Sequence, residues 1–144
     1  MTFRIATWNI NSVRLRVDLV CKLLKNEEID VLCLQECKSP VDKIPLDVFS
    51  EIGFPHLVAR GQKGYNGVAI VSKFPLLKKS ALDFAGLGHA RHIAAQLENG
   101  ITIHNFYIPA GGDEPDRQKN EKFDQKLNYL SEMKDYFHKN EPEK

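Results

Sequence analysis

The chain has 144 residues, of which 42% are hydrophobic and 27% charged, and its formal net charge is +1. These values are typical of a soluble globular protein and favour a single domain over residues 1–144 with a substantial core. No apolar run approaches the length of a membrane span and no signal peptide is recognisable, so we predict a cytoplasmic protein.

The first predicted elements are a strand, a helix and a second strand. Residues 3–10 are apolar and β-prone, Ser12 is placed to cap a helix over residues 13–26, and residues 30–35 form a short apolar strand. A strand–helix–strand order implies a crossover, so the two strands are expected to be parallel, with their polar ends on one edge. The pattern therefore predicts that Asn9 and Glu36 approach each other at that edge.

The rest of the chain contains shorter elements and one clear hairpin. We predict a short helix at residues 45–52, strands at 56–60, 68–72, 91–97 and 101–108, a helix from about residue 116, and an unstructured end at 138–144. Asn99-Gly100 is a strong turn signal for the hairpin. Residues 76–89 mix lysines with glycines and read as an irregular edge or loop. The last helix carries an apolar stripe at helical spacing: Phe123, Leu127, Leu130, Met133 and Phe137.

Glu36 is the strongest candidate for a metal ligand. A carboxylate at the rigid end of a strand suits a hard cation such as Mg²⁺, and Asn9 or Asn11 could add a neutral oxygen. An exposed surface glutamate followed by an ordinary loop is the alternative interpretation.

Three further features could bind phosphate. Residues 61–67 contain several glycines and Lys63, a composition that allows backbone N–H groups to approach an anion. Tyr107 follows a strand and could donate a hydrogen bond to a phosphate oxygen, and Arg91 offers a bidentate guanidinium. A flexible hairpin loop, a buried tyrosine and a surface ion pair are the corresponding structural alternatives.

Several other chemistries find no support. No Ser-His-Asp arrangement, zinc cluster or dinucleotide-binding fingerprint occurs. The three cysteines, Cys21, Cys33 and Cys37, form no CxxC motif and are expected to be reduced thiols. Cysteine nucleophilic catalysis is not expected, because Cys33 lies within an apolar strand and Cys37 has no evident histidine base.

Four motifs together resemble one enzyme family. They are Thr7-Trp-Asn-Ile-Asn-Ser-Val-Arg14, Leu34-Gln-Glu-Cys-Lys38, Gly61-Gln-Lys-Gly-Tyr-Asn-Gly-Val-Ala69 and Asn105-Phe-Tyr-Ile-Pro109. In this order and spacing they resemble the exonuclease III branch of the Mg²⁺-dependent endonuclease/exonuclease/phosphatase family, whose members repair abasic sites in DNA.

The resemblance implies roles for individual residues. It implies that Glu36, with Asn9, binds Mg²⁺ (Mn²⁺ as a possible substitute) and that Asn9, Lys38 and Tyr107 act at the scissile phosphate. It implies contacts with the DNA backbone for a further set of residues: Arg14, Lys63, Gly64, Tyr65, Asn66, Arg91 and Lys122. The partner would be double-stranded DNA with abasic sites or 3′ ends.

The resemblance also implies an incomplete domain. The family's Gly-Asp-x-Asn and Ser-Asp-His motifs do not occur here. The expected fold is α/β (α+β): half of a four-layer sandwich, with one mixed sheet flanked by helices and one sheet face uncovered. We therefore expect a DNA repair nuclease, both abasic-site endonuclease and 3′–5′ exonuclease, that is inactive as this chain alone and self-associates or binds a complementary half. The alternatives are a phosphoinositide or sphingomyelin phosphodiesterase and a non-catalytic half-domain.

Overall fold

The computed structural model describes residues 2–140, which form two compact units. Residues 2–82 together with residues 89–107 make up the first unit, and residues 83–88 with residues 108–140 make up the second. The strands are β1 (Ile5–Asn9), β2 (Val31–Gln35), β3 (His56–Arg60), β4 (Val68–Ser72), β5 (Leu77–Ser80), β6 (His92–Gln96) and β7 (Thr102–Phe106). The helices are α1 (Val17–Asn26), α2 (Leu46–Glu51) and α3 (Glu121–Lys139).

The first sheet has four strands in the order β1-β2-β4-β3. The parallel pairing of β1 with β2 confirms the predicted crossover, and Asn9 lies opposite Gln35 in the register. Strand β4 runs antiparallel between β2 and β3. The polar residues after β1 and β2 therefore begin at the same edge of the sheet.

A second sheet has three strands in the order β5-β6-β7. The α/β class is confirmed, whereas the strands divide between two sheets and not one mixed sheet as expected. The hairpin of β6 and β7 is confirmed, with the Leu97 N–H donating to the Ile101 carbonyl at 2.8 Å. The segment predicted to be irregular contains β5, an exposed strand that pairs with β6 across a register shift.

The first unit has two apolar cores, one on each face of the four-stranded sheet. One core is formed with α1 and α2 and includes Val20, Leu24, Phe49 and Leu32. The other joins the two sheets and includes buried side chains from both: Val31, Cys33, Val58, Val68, Ile70, Ile93, Ala95, Leu97 and Ile103. On the edge strand β1, Ile5 is 46% exposed, whereas the second core covers the centre of the sheet face that was predicted to be uncovered.

The predicted cap of the first helix is wrong. Helix α1 begins at Val17, and its N-cap position is Arg16, without a side-chain cap hydrogen bond. Ser12 adopts a left-handed backbone (φ 85°) and its N–H donates to the Glu36 carbonyl at 2.8 Å. That backbone contact places Ser12 in the turn after β1 rather than at the start of α1.

The second unit consists mainly of α3. The Asn120 side chain caps this helix by accepting from the Lys122 N–H at 3.1 Å. Tyr129 is the buried residue of the helix, whereas Leu130 and Phe137 of the predicted stripe are exposed. The helix extends to Lys139, so the predicted unstructured end is wrong at His138 and Lys139, and residues 141–144 lie outside the described residues. Within residues 2–140, no helix combines the length and apolar character needed to cross a membrane.

Candidate nuclease site

The site begins where β1 and β2 end together. The Ile10 N–H donates to the Gln35 carbonyl at 3.0 Å, which continues the strand pairing into the following turn. Four residues at these strand ends have left-handed backbones: Asn11, Ser12, Glu36 and Lys38. Non-glycine residues adopt this conformation at a cost and occur in it preferentially where a side chain must be presented in a fixed direction. The backbone at this edge is therefore strained and presents these side chains in fixed directions.

Glu36 and Tyr107 meet at this edge. Glu36 is half-buried directly after β2, and its carboxylate accepts a hydrogen bond from the Tyr107 hydroxyl. Tyr107 follows β7, and its N–H donates to the Arg91 carbonyl at 2.7 Å, which fixes its backbone beside β6. The contact joins two residues that are 71 positions apart in the chain. Each of them belongs to one of the sequence motifs and was predicted as a site residue.

The Tyr107 phenol is held in its protonated form. Burial raises its pKa above the ordinary value, and the hydrogen bond to the Glu36 carboxylate and the charge of that group act in the same direction, whereas Arg91 opposes them. A phenol with a raised pKa is a hydrogen-bond donor at neutral pH and not a base. Tyr107 is thus suited to donate to an oxyanion.

Arg91 packs against Tyr107. Its guanidinium carbon lies 4.7 Å from the centre of the Tyr107 ring, and Nη1 donates to the Tyr107 carbonyl at 3.3 Å. Nε also donates to His89 Nδ1 at 3.2 Å. These contacts fix the cation beside the Glu36–Tyr107 pair, where it adds positive charge.

Lys38 and Asn11 form a second polar pair. Lys38 Nζ donates to Asn11 Oδ1 at 2.6 Å, so this amide oxygen is already in use. Asn9 ends β1 opposite Gln35 with an exposed side chain. The Lys38 ammonium and the Asn9 amide are therefore presented at the same sheet edge as Glu36.

The glycine-rich loop is anchored at its base to this edge. The Lys38 N–H donates to the Asn66 carbonyl at 2.9 Å, and the Cys37 N–H donates to the Gly67 carbonyl at 3.1 Å. Gln62 Oε1 accepts from Asn66 Nδ2 at 2.9 Å and from the Ala90 N–H at 2.7 Å. The base of the loop is a hydrogen-bonded structure next to the Glu36 turn.

The tip of the loop is free to meet a ligand. Lys63, Gly64 and Tyr65 are exposed, and Tyr65 is 58% exposed. Asn66 is buried with a left-handed backbone, and its amide serves the contact with Gln62. DNA binding by this loop stays a prediction, and the geometry directs it to the tip rather than to the Asn66 side chain.

Gly61 provides a test of how closely the loop and the Glu36 turn must pack. A Cβ at Gly61 would lie 2.4 Å from the Ser39 carbonyl oxygen, a backbone atom that cannot move aside easily. We expect Gly61→Ala to lower the free energy of unfolding by about 2–3 kcal/mol in urea denaturation. Gly64→Ala is the control, because a Cβ there meets nothing within 4 Å and only its φ of +82° is strained. An equal or larger loss in Gly64→Ala would contradict the close approach.

Arg14, Lys122 and the cysteines complete the set of residues that the sequence singled out. Arg14 is exposed in the turn after β1. Lys122 is in the first turn of α3 in the second unit, and its role in DNA binding stays a prediction. Burial raises the pKa of Cys33 to about 11 and of Cys37 to about 12, in accord with the expectation that neither thiol is a nucleophile.

The donor set at the edge matches a lightly ligated divalent metal. Among residues 2–140, no three His, Cys, Asp or Glu side chains cluster in a way that could hold a metal ion. Mg²⁺ is commonly held by one or two carboxylates, with water and substrate phosphate completing the shell. The Glu36 carboxylate with the Asn9 amide oxygen fits the protein side of such a site.

Sequence reasoning missed the residues that support this cluster. Gln35, Gln62 and Asn105 make buried or half-buried hydrogen bonds around it. A signal was available, because an amide at an inward position of an apolar strand must find partners. Which partners it finds depends on the pairing of distant strands.

Glu36, Tyr107 and several basic side chains thus lie at one edge of an α/β fold, and comparison with known proteins identifies the family. The chain belongs to the Endonuclease/Exonuclease/phosphatase family, which it matches over residues 6–137. It is 28% identical over 145 aligned positions to exodeoxyribonuclease III of Haemophilus influenzae, covering 92% of this chain and 50% of that protein. It is 34% identical to recombination repair protein 1 of Drosophila melanogaster over 76% of this chain and 16% of the relative.

Solved structures show the same relationship. An AP endonuclease from Archaeoglobus fulgidus superposes with a TM-score of 0.86 at 37% identity, covering 96% of this chain and 52% of that one. A 3′ phosphatase, NExo, from Neisseria, bound to a product DNA hairpin, superposes with a TM-score of 0.77 at 35% identity, covering 90% and 49%. The chain spans about half the length of these relatives, with the exception of the longer Drosophila protein.

Proposed function

We propose that this chain supplies one half of the active site of a Mg²⁺-dependent DNA repair nuclease. The substrate would be duplex DNA, cut at abasic sites or shortened from 3′ ends. The observation that carries the proposal is the Tyr107–Glu36 hydrogen bond at an edge that also presents Lys38, Asn9 and Arg91. Similarity to an AP endonuclease and to exodeoxyribonuclease III supports DNA as the substrate class.

Each residue has a distinct chemical task in this proposal. Glu36 and Asn9 would hold Mg²⁺, with Mn²⁺ as a substitute; when bound, the ion polarises the phosphate and offsets its charge. The Tyr107 hydroxyl, whose single proton is donated to Glu36 in this structure, would transfer that hydrogen bond to a phosphate oxygen when DNA is bound, and the ammonium of Lys38 would stabilise the negative charge that develops there. Arg91 keeps the phenol in place and adds positive potential.

The loop tip and Arg14 would hold the DNA backbone. Lys63 and Arg14 are exposed cations, and contacts of this kind position a duplex without reading its sequence. The exposed Tyr65 ring beside Lys63 suits packing against a sugar or base. Asn66, Gly64 and Lys122 are the remaining proposed contacts with DNA.

The proposal includes a complementary half. The edge strand β1 pairs on one side with β2, and its exposed Ile5 offers apolar surface. Since the chain spans about half of its relatives, a complementary half or a second copy of this chain is the proposed cover for β1. Cytoplasmic location is part of the same proposal.

The test is cleavage of a duplex carrying one abasic site, with Mg²⁺, by the chain alone and mixed with the remaining half of the Archaeoglobus relative. We expect little cleavage by the chain alone and clear cleavage by the mixture. Glu36→Ala should reduce the latter by about a hundredfold or more. Glu27→Ala, which removes a carboxylate at the end of α1, is the matched control and should leave the rate unchanged.

Two outcomes would contradict the proposal. The first is cleavage that survives Glu36→Ala, because the site would then lie elsewhere. The second is preferential hydrolysis of a phosphoinositide or sphingomyelin in a substrate panel, which would keep the fold and replace the substrate class.

A further inference from the structure

A buried amide lies between the two sheets a short distance from the site. Asn105 is 2% exposed, and its Nδ2 donates to the Leu34 carbonyl and to the Ala69 carbonyl, both at 2.9 Å. Leu34 and Ala69 are opposite each other on β2 and β4. The Asn105 side chain therefore joins β7 to two neighbouring strands of the other sheet.

Gln35 completes a network around this amide. Gln35 Nε2 donates to Asn105 Oδ1 at 2.7 Å and to Thr7 Oγ1 at 2.8 Å. Because both hydrogens of Asn105 Nδ2 face carbonyls, its Oδ1 must be the atom that accepts from Gln35. The network thus links β1, β2 and β4 of one sheet to β7 of the other with directional bonds.

The network lies immediately before both members of the site pair. Gln35 directly precedes Glu36, and Asn105 stands two positions before Tyr107, on the same side of the extended chain. Apolar packing holds two sheets together but is non-directional, so it leaves their sliding weakly restrained. Hydrogen bonds of defined length and angle restrain that sliding at the end of the sandwich where Glu36 and Tyr107 meet.

We propose that Asn105 and Gln35 are positioning residues, which fix the two sheets so that the Tyr107 hydroxyl meets the Glu36 carboxylate. Neither residue touches the reacting atoms. The inference rests on the proposed function only in taking Glu36 and Tyr107 as the site pair. Its structural content, a dependence of their contact on the amide network, can be measured without activity.

The test follows the Tyr107 hydroxyl by NMR in the 144-residue chain labelled with ¹³C at tyrosine Cζ, whose chemical shift responds to hydrogen bonding. Tyr107→Phe assigns the signal among the four tyrosines, and Glu36→Ala gives its position without the carboxylate. Gln35→Met removes both donors at similar length. Thr7→Val removes only the Oγ1 atom that accepts the second hydrogen bond of Gln35. Because Thr7 is exposed, this variant is expected to fold.

We expect Gln35→Met to move the Tyr107 signal toward its position in Glu36→Ala, and Thr7→Val to move it less in the same direction. Leu24→Ala is the control, because it creates a cavity on the α1 side of the sheet and lowers stability without touching the network. It should leave the signal in place. An unmoved signal in folded Gln35→Met and Thr7→Val, or an equal movement in Leu24→Ala, would overturn the inference.

Mn²⁺ titration of the same samples separates this inference from the proposed function. Gln35→Met should weaken Mn²⁺ binding by about tenfold, because residues that orient a metal ligand affect the affinity for the metal. If the wild-type chain binds no Mn²⁺ while the Tyr107 signal still depends on Gln35, the proposed metal role fails and the positioning role stands. If Mn²⁺ binds equally well in all variants and the Tyr107 signal does not move, the positioning role fails alone.

Discussion

Replacing Asn105 by aspartate is expected to destabilise the chain by about 3 kcal/mol or more at neutral pH, because it buries a negative charge against two carbonyl oxygens. The wild-type amide donates to two carbonyl oxygens at 2.9 Å. A carboxylate of the same shape would oppose those oxygens with a negative charge in a region that is 2% exposed. Urea denaturation of Asn105→Asp and wild type at the same pH measures the difference.

The deficit should depend on pH in a defined direction. Burial beside two carbonyl oxygens raises the folded-state pKa of the introduced carboxyl above the unfolded value of about 3.9, so the folded state keeps its proton to higher pH. The loss of unfolding free energy relative to wild type is therefore smallest below about pH 4. It grows as the pH rises from about 4 to the raised folded-state pKa. Asn105→Leu, of similar size and without charge, should show a loss that does not vary with pH. A pH-independent deficit in Asn105→Asp would mean that the amide site is solvated.

Local pattern was sufficient for the part of the fold that carries Glu36. The apolar runs of β1 and β2 and the helical spacing of α1 predict a parallel pair, and that pairing alone brings Asn9 and Glu36 to one edge. Asn99-Gly100 predicts the β6–β7 hairpin. In each case a short-range signal and the tertiary arrangement agree.

Contacts between distant parts of the chain determine the features that local sequence patterns did not predict. Strand β5 has four exposed residues and forms because β6 offers it a free edge, which no local pattern reveals. Ser12 has the composition of a helix cap, but its N–H is used by the Glu36 carbonyl, so the chain turns before α1 begins. A contact across the sheet therefore outweighs the preference of Ser12 for a helix cap.

The site shows the same division. Glu36 and Tyr107 were each identified as phosphate-site candidates, whereas their mutual hydrogen bond and the network of Gln35 and Asn105 depend on how two sheets meet. Asn66 is a predicted DNA contact, and its buried side chain is hydrogen-bonded to Gln62 in the structure. A motif identifies which residues matter more readily than it identifies what each of them touches.

A pair of histidines on β6 and β7 gives the second large expected effect. His92 is fully buried, and its Nδ1 accepts from the Leu82 N–H at 2.9 Å, so Nε2 carries the proton toward His104 Nδ1 at 3.0 Å. The pKa of His92 is lowered to about 4, chiefly by burial, and the nearby His104 and Arg60 contribute to this lowering. Burial also lowers the pKa of His104. A second proton on His92 would face the Leu82 N–H and lose that hydrogen bond.

The free energy of unfolding should therefore fall as the pH drops from 6.5 toward 4. In this window the unfolded chain binds a proton at His92, whose ordinary pKa is 6.5, while the folded chain does not until the pH approaches 4. Full stability is present above 6.5, and His92 alone accounts for a loss of about 3 kcal/mol at pH 4, to which His104 adds in the same direction. Urea denaturation across this range measures the slope. His92→Phe should remove most of it, whatever its stability at neutral pH, and His56→Gln should not. A slope that persists in His92→Phe would assign the acid sensitivity to His104 or to the carboxylates, and His92 would then be a packing residue without a part in the pH response.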